Sequence, residues 1–186
     1  MTPVDRMPEH LGAPHHTAYL VDRIEATVER LVAQLGAGPF LLVEDVPLED
    51  VRSRGEPAEA AHHSAFGWCD GAPIELLELV RATPPRVAQR WAGPTPRVHH
   101  VAYVRPRDEA LALRAALAAR GLPEYLSARL GALDMTYHDA SATLGHDLEI
   151  HVDVPDLRGF FELVRTAADG WDGADPLRPV TGADGA

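Results

Sequence analysis

His15-His16-Thr17-Ala18-Tyr19-Leu20 recurs 84 positions later as His99-His100-Val101-Ala102-Tyr103-Val104, and the expected architecture follows from this repeat. Similarity at a fixed offset marks a duplicated structural unit. Each copy is rich in β-branched, aromatic and apolar residues and reads as a strand. Alternate strand side chains share a face, so His16, Ala18 and Leu20 point one way and His15, Thr17, Tyr19 and Val21 the other. His100 and His99 divide in the same way. His15, His99, Tyr19 and Tyr103 are accordingly read as structural.

The context of the repeat is duplicated too. Asp22 is placed to cap a helix with Glu25 three residues on, and Ile24, Val28, Leu31 and Leu35 recur at helical spacing until Gly36. Pro106 and Asp108 open a second helix carrying Leu113 and Leu117, which ends at Gly121 with Pro123 beyond. Strand-like runs follow at 40–46, 60–68 and 73–80 in the first unit, and at 124–130, 132–138 and 146–152 in the second. The pattern is an α+β chain of two tandem βαβββ modules: module one about 13–81, a proline-rich linker about 82–96, module two about 97–153, then a closing helix and tail at 154–186. The segment Leu48 to Ala61, charged and without apolar periodicity, reads as a mobile loop able to cover a cavity.

Pairing the units about a pseudo-twofold axis would bring His16 and His100 towards one shared cavity. The last strand of each unit adds an acid: Glu75 within Ile74-Glu75-Leu76, and Glu149 within Leu148-Glu149-Ile150. A mid-strand carboxylate flanked by Leu and Ile is costly to bury without a partner, and a metal ion is such a partner. Two imidazoles and two carboxylates suit a divalent ion and leave about two open positions in octahedral geometry. Glu78 is the alternative to Glu75, and Asp147 shares the face of Glu149. His62, His63, His138, His146 and His151 are further candidates for the cavity wall, but spacing selects none of them.

Bulk properties narrow the function classes. With 186 residues, 46% apolar and 24% charged, the chain can bury a core. A formal net charge of −11 disfavours nucleic acid and anionic membranes as partners and leaves small molecules and cations. Met1 to Pro14 has no signal-peptide pattern, and no run approaches a membrane span, so a cytoplasmic location is expected. The single Cys69 has no disulfide partner and reads as strand filler.

On these residues the chain resembles the vicinal oxygen chelate superfamily, which includes glyoxalases, methylmalonyl-CoA epimerases, extradiol dioxygenases and bleomycin-resistance proteins. In its glyoxalase and epimerase branch a His opens the first strand of a unit and a Glu or Gln sits on the last. His16 and His100 match the former, Glu75 and Glu149 the latter, and Thr143-Leu144-Gly145-His146-Asp147-Leu148-Glu149 resembles the segment before the last ligand.

The resemblance implies a curved mixed sheet around one cavity and a single divalent ion (Zn, Mn, Co, Ni or Fe). It implies a lyase or isomerase/epimerase acting on a small carbonyl metabolite through an enolate-type intermediate. The base would be Glu149, or Glu56 or Glu59 before the third strand. Homodimers are common among look-alikes. A metabolite- or antibiotic-binding protein of the same fold, walled by Trp68, Trp91 or Trp171, is the alternative, and an extradiol dioxygenase ranks below it. No Arg or Lys cluster suited to a coenzyme A phosphate is evident.

Overall fold

A computed structural model of the chain describes residues 10–180. The expected frayed end at Gly182 to Ala186 and most of the Met1 to Pro14 segment lie outside them. Among the described residues no helix is long and apolar enough to cross a membrane.

The first half runs β1 (His16–Val21), α1 (Ile24–Leu35), β2 (Phe40–Val43), β3 (Glu49–Ser53), β4 (Glu56–Pro57), β5 (Glu59–Cys69) and β6 (Ala72–Thr83). Helix α2 (Pro85–Trp91) lies within the proline-rich connection. The second half is β7 (Arg97–Arg105), α3 (Arg107–Ala119), β8 (Glu124–Leu130), β9 (Leu133–His138), α4 (Ser141–Leu144), β10 (Asp147–Val152), α5 (Pro155–Ala168) and β11 (Leu177–Pro179). The eleven strands among the described residues join one curved, unclosed mixed sheet in the order β11-β2-β5-β6-β1-β7-β10-β9-β8-β3-β4.

The duplicated strands β1 and β7 pair antiparallel at the centre, with His16↔Ala102, Thr17↔Val101 and Ala18↔His100 in register. Thr17↔Val101 is therefore the pseudo-twofold point. Each central strand then takes the acid-bearing strand of its own half as a parallel neighbour, β1 with β6 and β7 with β10. This topology, more than any loop, brings the two histidines and two acids to the middle of the molecule.

On β10 the period of two is complete: Leu148, Ile150 and Val152 face one side while Asp147, Glu149 and His151 face the other, and all six are buried. Leu113 and Leu117 of α3 join Leu148, Ile150 and Val152 in one apolar cluster. In the first half, Ile24 and Val28 of α1 pack with Val21, Phe40, Ala65 and Leu76. Phe40 fits there because residue 67 is glycine, where a Cβ would stand 2.6 Å from its ring.

Helix α1 ends at Gly36, whose φ of 63° places it in the left-handed region that glycine adopts without steric cost. Its start differs from expectation. The N-cap position is Arg23, with no side-chain cap of its own, and Glu78 of β6 accepts the Ile24 N–H at 2.8 Å. A carboxylate from a neighbouring strand thus does the work expected of Asp22, and it suits the positive end of the helix.

The 48–61 segment is not a loop over a cavity. Its β3 crosses to the second half, pairs antiparallel with β8 and with the short β4, and so extends the sheet edge. Of the five residues of β3 only Val51 and Ser53 turn inward, and one of these is polar, which hid the strand from a hydrophobic pattern. Leu177–Pro179, in the tail, adds an edge strand beside β2.

Candidate metal centre

His16, Glu75 and His100 are buried, and one ligand atom of each lies within 4.8 Å of the others. Oε2 of Glu75 is 3.3 Å from Nε2 of His16 and 3.5 Å from Nε2 of His100. Glu149 joins through its own Oε2, 2.9 Å from Nε2 of His100, and the same oxygen is 2.6 Å from Nε2 of His151. The fold thus brings together all four residues named from the sequence and adds a fifth, His151, two positions along β10 from Glu149.

None of these approaches is an aligned hydrogen bond. Nε2 of His16, His100 and His151 are all buried and, among the described residues, lack a hydrogen-bond partner despite carboxylate oxygens within 3.5 Å. Donor atoms around one ion behave this way, since each points at the common centre rather than at its neighbour. Bonds of roughly 2.1 Å put adjacent donors about 3.0–3.4 Å apart, close to the spacings here. His16, Glu75 and His100 therefore fit a divalent cation, with Glu149 adjoining them through His100.

Each carboxylate is held from behind. Ser64 Oγ donates to Oε1 of Glu75 at 2.7 Å, leaving Oε2 for the cluster. Glu149 lies opposite Tyr137 of β9, whose hydroxyl is kept protonated by burial and by the nearby Glu149 and Glu75 carboxylates. Burial disfavours the ionised carboxyl of Glu75, but the close approach of the His100 and His16 imidazoles outweighs it and holds the group well below the carboxylate range. Glu149 is likewise held low, against burial, by the charges of His151 and His100. Burial also opposes the protonated form of His100, yet Glu149 and Glu75 push it up to about 10. His16 goes the other way, because burial outweighs its contact with Glu75.

The remaining candidates separate by partner. Glu78 caps α1, and Asp147 is engaged by Arg90 and by the Tyr125 hydroxyl at 2.6 Å. Nδ1 of His62, His138 and His146 meets a backbone carbonyl at 2.8–2.9 Å, and His63 accepts the Asp45 N–H. Glu59 pairs with Arg81 and Glu56 is exposed on the edge strand β4, so neither is placed to act as the base. Trp91 packs against His99 and His62, while Trp171 lies against Gly38. A shallow groove of about 530 Å³ lined by Val51, Pro57 and Glu59 lies at the β3–β4 edge and shares no residue with the cluster.

Sequence reasoning did not find the roof. Phe161 of α5 stacks on His16 at 5.1 Å between centroids, and its neighbour Phe160 meets Phe66 at 4.9 Å. Helix α5 thus packs onto the imidazole-bearing face. The apolar stripe of that helix was evident, but which sheet face it covers is a tertiary fact.

No family model and no curated protein matches the chain. Among solved structures it is similar to methylmalonyl-CoA epimerase from Mycobacterium tuberculosis, at 16% identity, 78% coverage of this chain, 91% of that one and a TM-score of 0.52. A hypothetical protein from Bacillus halodurans C-125 aligns at 18% identity, 76% and 94% coverage and a TM-score of 0.49. A variant of the Streptomyces coelicolor methylmalonyl-CoA epimerase in complex with 2-nitronate-propionyl-CoA aligns at 22% identity, 78% and 97% coverage and a TM-score of 0.46. The chain therefore has the fold of methylmalonyl-CoA epimerase.

Proposed function

We propose that the chain is a divalent-metal-dependent isomerase or epimerase that moves a proton at the carbon next to a carbonyl of a small metabolite. The observation that carries this reading is the set of imidazole nitrogens that crowd carboxylate oxygens without bonding to them. His16, Glu75, His100 and Glu149 would hold the ion. When bound, it polarises the substrate carbonyl and stabilises the charge that builds on oxygen as the C–H is lost.

Glu149 is the residue assigned to take that proton. It is buried and ionised, and its Oε2 lies between His100 and His151, so a turn away from His100 keeps a partner in His151. Phe66, Phe160 and Phe161 meet edge-on beside the cluster and give it an apolar wall, which favours a compact, largely apolar substrate. Substrate would reach the cluster past α5, whose Phe161 covers His16. A purely sequestering protein would have no use for buried acids and imidazoles in this arrangement, each of which costs stability when left without an ion.

The test is solvent exchange. Protein loaded with one divalent ion is incubated in D2O with small carbonyl compounds carrying an acidic C–H, and deuterium at that carbon is followed by mass spectrometry. Incorporation that disappears on chelation and in Glu149→Gln is expected. Incorporation with none of the panel, or exchange that survives chelation, overturns the reading.

A further inference from the structure

The duplicated histidine pairs are in contact within themselves, although neighbouring strand residues ordinarily point to opposite faces. Nδ1 of His15 is 2.9 Å from Nδ1 of His16, and Nδ1 of His99 is 3.0 Å from Nδ1 of His100. The rings meet edge-on at 81° and 79°. The register explains how. After Ala18↔His100 the β1–β7 pairing slips to Tyr19↔Val98, leaving His99 as the extra residue of a β-bulge. On the other side of the pseudo-twofold point, His15 donates its backbone N–H to Ala102 O, although Ala102 already stands opposite His16. Two irregularities, one per half, swing His15 and His99 round to the metal-facing side.

We propose that His15 and His99 are positioning residues for the metal ligands, each accepting on Nδ1 the Nδ1–H of the histidine that follows it. The inference rests on the metal-site reading above. A nitrogen pair this close shares one proton. His16 and His100 turn Nε2 towards Glu75, and an imidazole nitrogen that faces a cation carries no proton. Their proton therefore sits on Nδ1, and the preceding ring must accept it and carry its own proton on Nε2. Metal-bound imidazoles are commonly oriented through their second nitrogen in this way, and here the acceptor is another imidazole.

The two acceptors are braced differently. His99 packs on Trp91 at 4.4 Å, and His15 meets the edge of Phe161 at 4.4 Å. The walls differ while the nitrogen–nitrogen contact is the same, so the contact, and not the packing, is what the two halves share. Nδ1 is the nitrogen through which His99 hydrogen-bonds, and its Nε2 is buried with no partner among the described residues, so the N–H placed there would lie unpaired, which is the cost of offering Nδ1 to His100 as the acceptor.

Long-range 1H–15N correlation spectra of the full chain, with and without one equivalent of Zn(II), read the tautomers directly. In the zinc-loaded protein His16 and His100 are expected to be protonated on Nδ1, and His15 and His99 on Nε2 alone. A proton on Nδ1 of His15 or His99 while zinc is bound overturns this inference and leaves the metal site standing. If zinc shifts no imidazole nitrogen, the metal reading fails and the inference falls with it. As a second measurement, His99→Leu should weaken zinc binding about 10–100-fold in competition with a chromophoric chelator. His99→Asn, whose Oδ1 occupies the acceptor position, should recover much of the loss. Equal affinity in Leu, Asn and the natural protein contradicts the role.

Discussion

Oε2 of Glu149 stands 2.9 Å from Nε2 of His100 on the neighbouring parallel strand, yet the two are not aligned as a hydrogen bond. That mismatch sets the first prediction. If both atoms face a shared ion, His100→Ala and Glu75→Gln should each lower divalent-metal affinity by more than the roughly 100-fold lost when only a supporting residue is changed. Equilibrium dialysis against a metal buffer measures it, and near-wild-type affinity in either variant contradicts the ligand assignment.

The ion-free protein should be alkali-sensitive. His100 is raised from 6.5 to about 10 in the folded state. A raised folded value contributes stability that is fully present below pH 6.5 and is lost as pH rises through about 10. Thermal stability of the ion-free chain should therefore decline across this window, and metal binding near pH 7.5 should release protons. Calorimetric metal titrations in two buffers of different ionisation heat check this, and a buffer-independent heat contradicts it.

Glu78 and Glu75 lie three residues apart on β6 but have different tasks. Glu78→Ala should cost about 1 kcal/mol through the lost cap on α1 and leave metal affinity unchanged. Denaturant unfolding and dialysis together separate the two effects. A Glu78→Ala chain that binds metal poorly would reopen the choice between these acids.

Phe161→Ala should destabilise the chain by about 3 kcal/mol, since it deletes a buried ring stacked on His16. It should also open the roof, so a chelator strips bound metal faster while equilibrium affinity falls much less. Stripping at the wild-type rate would mean that α5 does not gate the site.

How much of this was legible beforehand follows from the kind of signal each residue leaves. The repeat around His16 and His100 exposed the pseudo-twofold pair of central strands, and the apolar flanks of Glu75 and Glu149 exposed two buried acids. Strand β3 was unreadable because its inward face carries one apolar residue, Val51, beside the polar Ser53, too little to show alternation. His15 and His99 were assigned to the wrong face because a bulge shifts register by one residue without marking the sequence. Ser64 and His151 acquire their roles from cross-strand proximity, and nothing local distinguishes them from other small or polar strand residues. The cap from Glu78 spans 54 positions of chain, beyond any local capping pattern.

If two duplicated halves donate their imidazoles and carboxylates to one cation, removing both imidazoles must abolish binding. The direct measurement is metal stoichiometry by mass spectrometry on the dialysed full chain, natural and His16→Ala/His100→Ala. About one divalent ion per natural chain and none in the double variant is the predicted result; no bound metal in the natural chain, or equal metal in both, contradicts it.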